Sequence, residues 1–226
     1  MSEHQPKEKE KKRSLYYYST RYDMIELIPE GTKNILEVGC AGGMTGKVLK
    51  EMGFHVVGVE LIEGLIEDAR PYYESIIIGD VEKIDLPFDK EYFDCILYGD
   101  VLEHLVDPWG LVKKHNFYIK KGGSVICSIP NIRHYRIIKR LALKGEWEYT
   151  EDGIMDKTHL RFFTIKTIKR LFEDAGFEIK EIKKRPSGAG WIKTINYLLK
   201  NRLIDFLVRQ YIFSAIKIRE VDSWQL

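Results

Sequence analysis

Three carboxylates stand where short apolar runs end. Glu37 lies inside NILEVG, Glu60 closes HVVGVE, and Asp80 follows SIIIG. Between the first two sits a turn almost free of side chains, Gly39-Cys40-Ala41-Gly42-Gly43. Glycine lets a backbone approach a ligand where side chains would collide. An acid about 20 residues beyond such a turn can accept both hydroxyls of a ribose, and an acid at the next strand end can accept an adenine amino hydrogen. Taken alone, the turn also fits an ordinary tight connection between a strand and a helix. A pyrophosphate is a poor fit, because residues 39–44 read GCAGGM rather than G-x-G-x-x-G, and Glu37 would repel it. The spacing points to an adenosine derivative that carries positive charge.

A second set of groups could move a proton or hold a cation. Asp100, Glu103 and His104 form DVLEH, while His134 and His159 come later, the latter flanked by Asp156 and Arg161. Carboxylate and imidazole together can accept a proton or, with mixed oxygen and nitrogen donors, ligate magnesium, manganese or iron(II).

These groups need elements to place them. After a helix over 15–28, the pattern predicts strands at 34–39, 55–60, 75–79, 93–98 and 123–129. Helices at 43–53, 63–70 and 107–119 alternate with them, as in a parallel sheet covered on both faces. Ligands of such sheets bind beyond the carboxyl ends of the strands, where the three acids would converge. Thr164 caps a helix to Ala175, and 177–184 alternates as a strand with one wet face. A helix over 191–208 precedes a last strand at 210–218, antiparallel if it inserts between its neighbours. The stretch 132–163 reads as a lid-like insertion over the strand ends.

Composition narrows the function. The chain has 226 residues, enough for one substantial core, and a net charge of +2, which argues against a dedicated nucleic-acid binder: no DNA partner is expected, and RNA is disfavoured. Cys40, Cys95 and Cys127 lie in apolar runs and read as buried thiols of a reducing compartment. Residues 1–14 are charged and are expected to be a disordered tail, not a signal peptide. No apolar run approaches the roughly 18 residues of a membrane span, so the cytoplasm is the expected location.

ILEVGCAGG resembles the first motif of class I S-adenosylmethionine-dependent methyltransferases, with Ala41 at the central glycine of G-x-G-x-G. The resemblance extends over residues 34–130. It implies a Rossmann-like α/β fold: a mostly parallel seven-stranded sheet with an antiparallel last strand and helices on both faces, forming a single domain from residue 15. It further implies that Glu37, Gly39, Cys40, Ala41 and Gly43 line the methionine end of the cofactor. Glu60 and Leu61 would hold the ribose, Asp80 and Val81 the adenine, and Tyr98 and Gly99 the end of the fourth strand. YYYSTRYDMIELIP, SIPNIRHY and GEWEYTEDGIMDKTHLRFFT resemble a bacterial subfamily associated with polysaccharide biosynthesis. There Arg21 would face the cofactor carboxylate.

The expected activity is methylation of an oxygen on a small or sugar-containing acceptor, by a monomer or homodimer. The sulfonium is already activated, so a hydroxyl nucleophile needs chiefly alignment and loss of its proton. His104 or His159 is the candidate base, with Glu103 beside them, unless Glu103-His104 merely caps a turn. A metal held by Asp100, Glu103, His104 and His159 is a secondary reading, on a resemblance to small-RNA 2′-O-methyltransferases and ubiquinone-pathway O-methyltransferases. The competing classes are a non-catalytic cofactor-binding protein in a biosynthetic complex and a metal-dependent RNA methyltransferase. Trp147, Tyr149, Phe162 and Phe163 are expected to form the insertion's own small core. Lys139, Arg140 and Lys144 read as a solvated face, and 197–213 as sheet packing rather than a membrane-surface segment.

Overall fold

The computed structural model describes residues 17–187, 197, 200 and 203–221. Its seven strands are β1 (Asn34–Val38), β2 (His55–Glu60), β3 (Ser75–Ile78), β4 (Phe93–Gly99), β5 (Ile119–Pro130), β6 (Phe177–Pro186) and β7 (Val208–Lys217). They form one sheet in the order β3-β2-β1-β4-β5-β7-β6. β1 to β5 pair in parallel, and β7 inserts antiparallel between β5 and β6, as the sequence predicts.

Alternation along the strands sends side chains to two faces. Ile35, Val56, Cys95, Leu97, Ile126 and Ile212 share one apolar cluster with Met24 and Ile25 of α1 (Tyr22–Ile25), Leu49 of α2 (Met44–Glu51) and Ala69 of α3 (Ile66–Ala69). Leu36, Val57, Ile96, Val125 and Phe213 share the other with Leu111 and Val112 of α4 (Pro108–Asn116) and Ile168, Leu171 and Phe172 of α6 (Ile165–Asp174). Two further helices are α5 (Tyr135–Lys144) and α7 (Ile204–Leu207). Thr164 caps α6 by accepting from the Thr167 amide, and Asp107 caps α4 by accepting from the Gly110 amide.

Several element boundaries differ from expectation. Among the described residues the helix over 15–28 is broken between Tyr17 and α1, because tertiary partners take the backbone groups there. The Gly42 amide donates to the Tyr17 carbonyl at 3.0 Å and the Arg21 amide to Thr45 Oγ1 at 3.2 Å. The helix over 63–70 is a short α-turn between 3-10 turns at Glu63–Leu65 and Arg70–Tyr72. Strand β5 begins at Ile119, where the predicted helix was still running. The tail 1–14, most of the helix over 191–208 and residues 222–226 lie outside the described residues; of that helix, α7 is described, and β7 starts two residues early.

Candidate functional site

The carboxyl ends of β1, β2 and β4 carry the predicted groups. The turn after β1 is forced into left-handed backbone: φ is +74° at Gly39, +47° at Ala41 and +80° at Gly43. A Cβ on Gly43 would lie 2.7 Å from the Ala69 Cα, and one on Gly39 2.7 Å from Val101 Cγ2, so both positions need glycine for space as well as conformation. Ala41 holds a conformation that costs a residue with a Cβ free energy. Cys40 turns its thiol inward against Gly58, where the missing Cβ makes room.

Glu60 fixes the turn. Its Oε2 accepts from the Ala41 amide at 2.7 Å, and Oε1 accepts from the amides of Leu61 and Ile62 at 2.9 Å each. An ionised carboxylate oxygen accepts two hydrogen bonds, so Oε2 keeps one lone pair for a ligand hydroxyl. Glu37 is buried and accepts from the Tyr73 hydroxyl at 2.7 Å. Burial pushes its carboxyl up to about 7, against the opposing pull of Tyr73 and the Arg21 guanidinium. Asp80 pairs with Lys83 at 2.8 Å, which holds its carboxyl below the usual range, and it accepts from the Glu82 amide. Val81 is buried beside it, whereas Leu61 is exposed.

Two expectations change at the end of β4. Tyr98 points into the core and not toward the strand ends: its hydroxyl lies 2.6 Å from His115 Nδ1, and both side chains are fully buried. Only its backbone and Gly99 can face a ligand. Asp100 does not join the histidines. With φ at +58°, its carboxylate turns back to Arg21 Nη1 at 2.6 Å and accepts from Ser128 Oγ and Gln210 Nε2. Arg21, which also pairs with Asp23 at 3.3 Å, therefore lies beside the end of β4, on the segment that covers the glycine turn.

Glu103, His104 and His159 do meet: one donor atom from each lies within 4.8 Å of the others. Glu103 and His104 belong to a 3-10 turn, Leu102–His104, and the Glu103 carbonyl accepts from the amides of Leu160 and Arg161, which brings the later segment back. The imidazoles of His104 and His159 pack edge to face, 4.8 Å between centroids. His104 Nδ1 is 3.2 Å from the Thr158 carbonyl and His159 Nδ1 is 3.0 Å from the Ile154 carbonyl. A carbonyl only accepts, so each Nδ1 carries a proton, and in a neutral ring Nε2 is the acceptor. Glu103 is 1% exposed, and its Oε2 has no hydrogen-bond partner among the described residues. Burial, reinforced by the Asp100 charge, drives its carboxyl well above the usual range, while burial lowers His159. The cluster sets one buried carboxyl, which burial biases toward its protonated form, beside two imidazoles.

The remaining candidates are dispersed. His134 is buried against Ser187 Oγ at 2.9 Å, away from the cluster. Asp156 accepts from the Thr158 amide and hydroxyl, shaping the loop that carries His159. Arg161 donates to the Val106 carbonyl and lies over Trp109. Trp147 and Tyr149 pack against Phe162, but Phe163 belongs to the main core, a correction to the expected separate cluster. Arg140 and Lys144 pair with Glu146, and Arg140 also with Glu148. Sequence reasoning missed Tyr73, Ser128 and Gln210, because a lone tyrosine, serine or glutamine in an apolar run carries no signal of a carboxylate across the sheet.

Residues 9–182 match the family model described as a methyltransferase domain. The chain belongs to this family. Its fold is that of solved S-adenosylmethionine-dependent methyltransferases. No helix among the described residues is long and apolar enough to cross a membrane. The methyltransferase is 31% identical over 150 residues to a protein from Dinoroseobacter shibae named ubiquinone biosynthesis O-methyltransferase, covering 64% of this chain and 59% of that one. A protein of the same name from Coxiella burnetii is 34% identical over 105 residues, 44% of each chain. The chain thus spans about half the length of these relatives. Their names point to ubiquinone biosynthesis, where the sequence set its expectation on polysaccharides. Among solved structures, an S-adenosylmethionine-dependent methyltransferase from Archaeoglobus fulgidus aligns with a TM-score of 0.63 at 19% identity, covering 92% of each chain. A possible histamine N-methyltransferase from Thermotoga maritima gives 0.63 at 22%, covering 92% of this chain and 95% of that one.

Proposed function

We propose that the enzyme methylates a hydroxyl oxygen of a small molecule, with Glu37, the 39–43 turn, Glu60 and Asp80 holding S-adenosylmethionine and the Glu103–His104–His159 cluster serving the acceptor. The observation that carries this reading is the cluster itself. A sulfonium methyl needs no further activation, but a hydroxyl attacking it must lose a proton. The acceptor oxygen attacks the methyl carbon, the sulfur–carbon bond breaks, S-adenosylhomocysteine leaves, and the proton passes to the Nε2 of a neutral imidazole. The names of the relatives support oxygen as the accepting atom and a small molecule as its bearer. A sugar hydroxyl is the same chemistry but has only the polysaccharide resemblance behind it.

The donor set supports a second role for the same residues. Three acceptors without a donor between them repel one another unless Glu103 is protonated or a cation joins them. Glu103, His104 and His159 would hold a divalent ion, with both Nδ1 protons tied to carbonyls as in metal-bound imidazoles. Such an ion would lower the pKa of a bound hydroxyl.

The deciding experiment measures S-adenosylhomocysteine release with a panel of small hydroxyl acceptors. The wild type should turn over, and the His104→Ala/His159→Ala double variant should lose turnover while still binding S-adenosylhomocysteine. Full activity in the double variant overturns the role of the cluster, and no release with any acceptor favours the non-catalytic alternative. Loss of activity on chelation, restored by manganese, selects the metal-holding form.

A further inference from the structure

Glu82 stands between the two halves of the site. It lies two residues after Asp80, in the turn that Asp80 organises: the Asp80 side chain accepts from the Glu82 amide at 3.1 Å, and the Asp80 carbonyl accepts from the amides of Lys83 and Ile84 at 2.9 and 3.0 Å. The Glu82 carboxylate reaches out of this turn to the loop that follows Glu103 and His104. Its Oε2 accepts from the Val106 amide at 2.9 Å and its Oε1 from the Asp107 amide at 2.6 Å. The Val106 carbonyl accepts from Arg161 Nε at 3.0 Å and also from Nη2. One peptide group, Val106–Asp107, thus carries a carboxylate on its N–H and a guanidinium on its C=O. Hydrogen bonds with an ionised partner are the stronger kind, and bonds in line through one peptide polarise each other. Arg161 lies two residues after His159, and its amide, with that of Leu160, donates to the Glu103 carbonyl. Val106 is 62% exposed, so apolar packing does not fix its backbone. The two charged side chains do.

We infer that Glu82 and Arg161 are positioning residues, and that their clamp on the 106–107 peptide couples cofactor binding to the arrangement of Glu103, His104 and His159. Glu103 and His104 stand just ahead of the clamped peptide, and His159 is two residues from the guanidinium on its far side. A shift at either end of the clamp therefore changes how the two imidazoles meet. Glu82 projects from the turn that carries Asp80 and Val81, so a ligand that orders this turn also orders the clamp. Less ordering is then left for an acceptor to impose, and the acceptor binds more tightly to the cofactor-loaded enzyme. Linkage makes the effect mutual: a bound acceptor tightens the cofactor by the same factor. The place of adenine at Asp80, and of the acceptor at the histidines, rests on the proposed function. The clamp itself does not.

Hydrogen exchange of the full chain, read by mass spectrometry with and without S-adenosylhomocysteine, tests the coupling without any acceptor. In the wild type the ligand should slow exchange about fivefold or more in segments 102–107 and 158–161, as well as in the 39–43 turn. Glu82→Gln keeps the length of the side chain but turns an NH2 group toward one of the two amides, a donor meeting a donor. It should keep S-adenosylhomocysteine affinity within a few-fold and the slowing at 39–43, and lose the slowing at 102–107 and 158–161. Absence of that slowing in the wild type, or its retention in Glu82→Gln, overturns the inference. So does a loss of affinity of about tenfold or more in Glu82→Gln, because Glu82 would then serve the cofactor directly. With an acceptor that turns over, Arg161→Met should lower kcat/KM for the acceptor about tenfold while the cofactor KM stays nearly unchanged. Arg161→Lys keeps a donor for the Val106 carbonyl and should recover most of the loss; equal losses in both variants overturn the role of Arg161. Exchange that follows Glu82 as expected, with no methyl transfer to any hydroxyl, would instead overturn the proposed function and leave the coupling standing.

Discussion

The strand ends of β1 and β2 and the region around β4 and α5 are built in opposite ways. On the first side nearly every polar group is already engaged: Glu60 by three amides, Glu37 by Tyr73, Asp80 by Lys83. On the second side Glu103 is buried with an oxygen unpartnered among the described residues, two imidazoles lie beside it, and a helix stands uncovered. A pre-bonded pocket holds its shape before the ligand arrives, which suits a cofactor common to many reactions. Groups held short of partners are instead completed by whatever binds there, which suits a specific acceptor.

The comparison breaks most directly at Glu103. Glu103→Gln should lower turnover about a hundredfold or more while leaving S-adenosylhomocysteine affinity within a few-fold, read by steady-state kinetics and calorimetry. If affinity falls in parallel with turnover, the two sides are not separable. The converse change is Gly43→Ala, whose Cβ meets Ala69 in left-handed backbone. It should cost about 1–3 kcal/mol in denaturant unfolding and abolish cofactor binding.

A pH series sharpens the cofactor side. The carboxyl of Glu37 stands near 7 in the unliganded enzyme, so that group favours folding most below about 4.5 and loses this contribution as pH rises through about 7. A cationic cofactor prefers the ionised form. Its affinity should therefore tighten by up to about tenfold per pH unit on approaching 7 and then level off, with proton release in calorimetry. In Glu37→Gln the slope should vanish. The smallest effect is expected at Tyr98→Phe, which removes the bond to His115 and should cost about 1 kcal/mol without changing cofactor affinity. A loss of affinity there would return Tyr98 to the cofactor site.

Local signals account for what was legible beforehand. Apolar runs of strand length, a glycine turn and acids at strand ends are properties of consecutive residues, so the parallel core and the sides of Glu37, Glu60 and Asp80 could be read directly. DVLEH and a distant histidine marked the cluster but could not say which acid joins it. Asp100 and Glu103 are three residues apart on a tight turn, and only the left-handed backbone at Asp100 sends one carboxylate to Arg21 and leaves the other with the histidines. The return of 158–161 depends on backbone bonds to Glu103, more than fifty residues away, which no local pattern encodes.

The sequence by itself determined the class of fold, the acids at the strand ends and the inventory of proton-accepting groups, because periodicity and residue type act over a few neighbouring positions. The tertiary structure alone decided that Tyr98 faces the core, that Asp100 serves Arg21, and that α5 stands uncovered. Each is a choice between two sides of an element, settled by which distant segment packs against it.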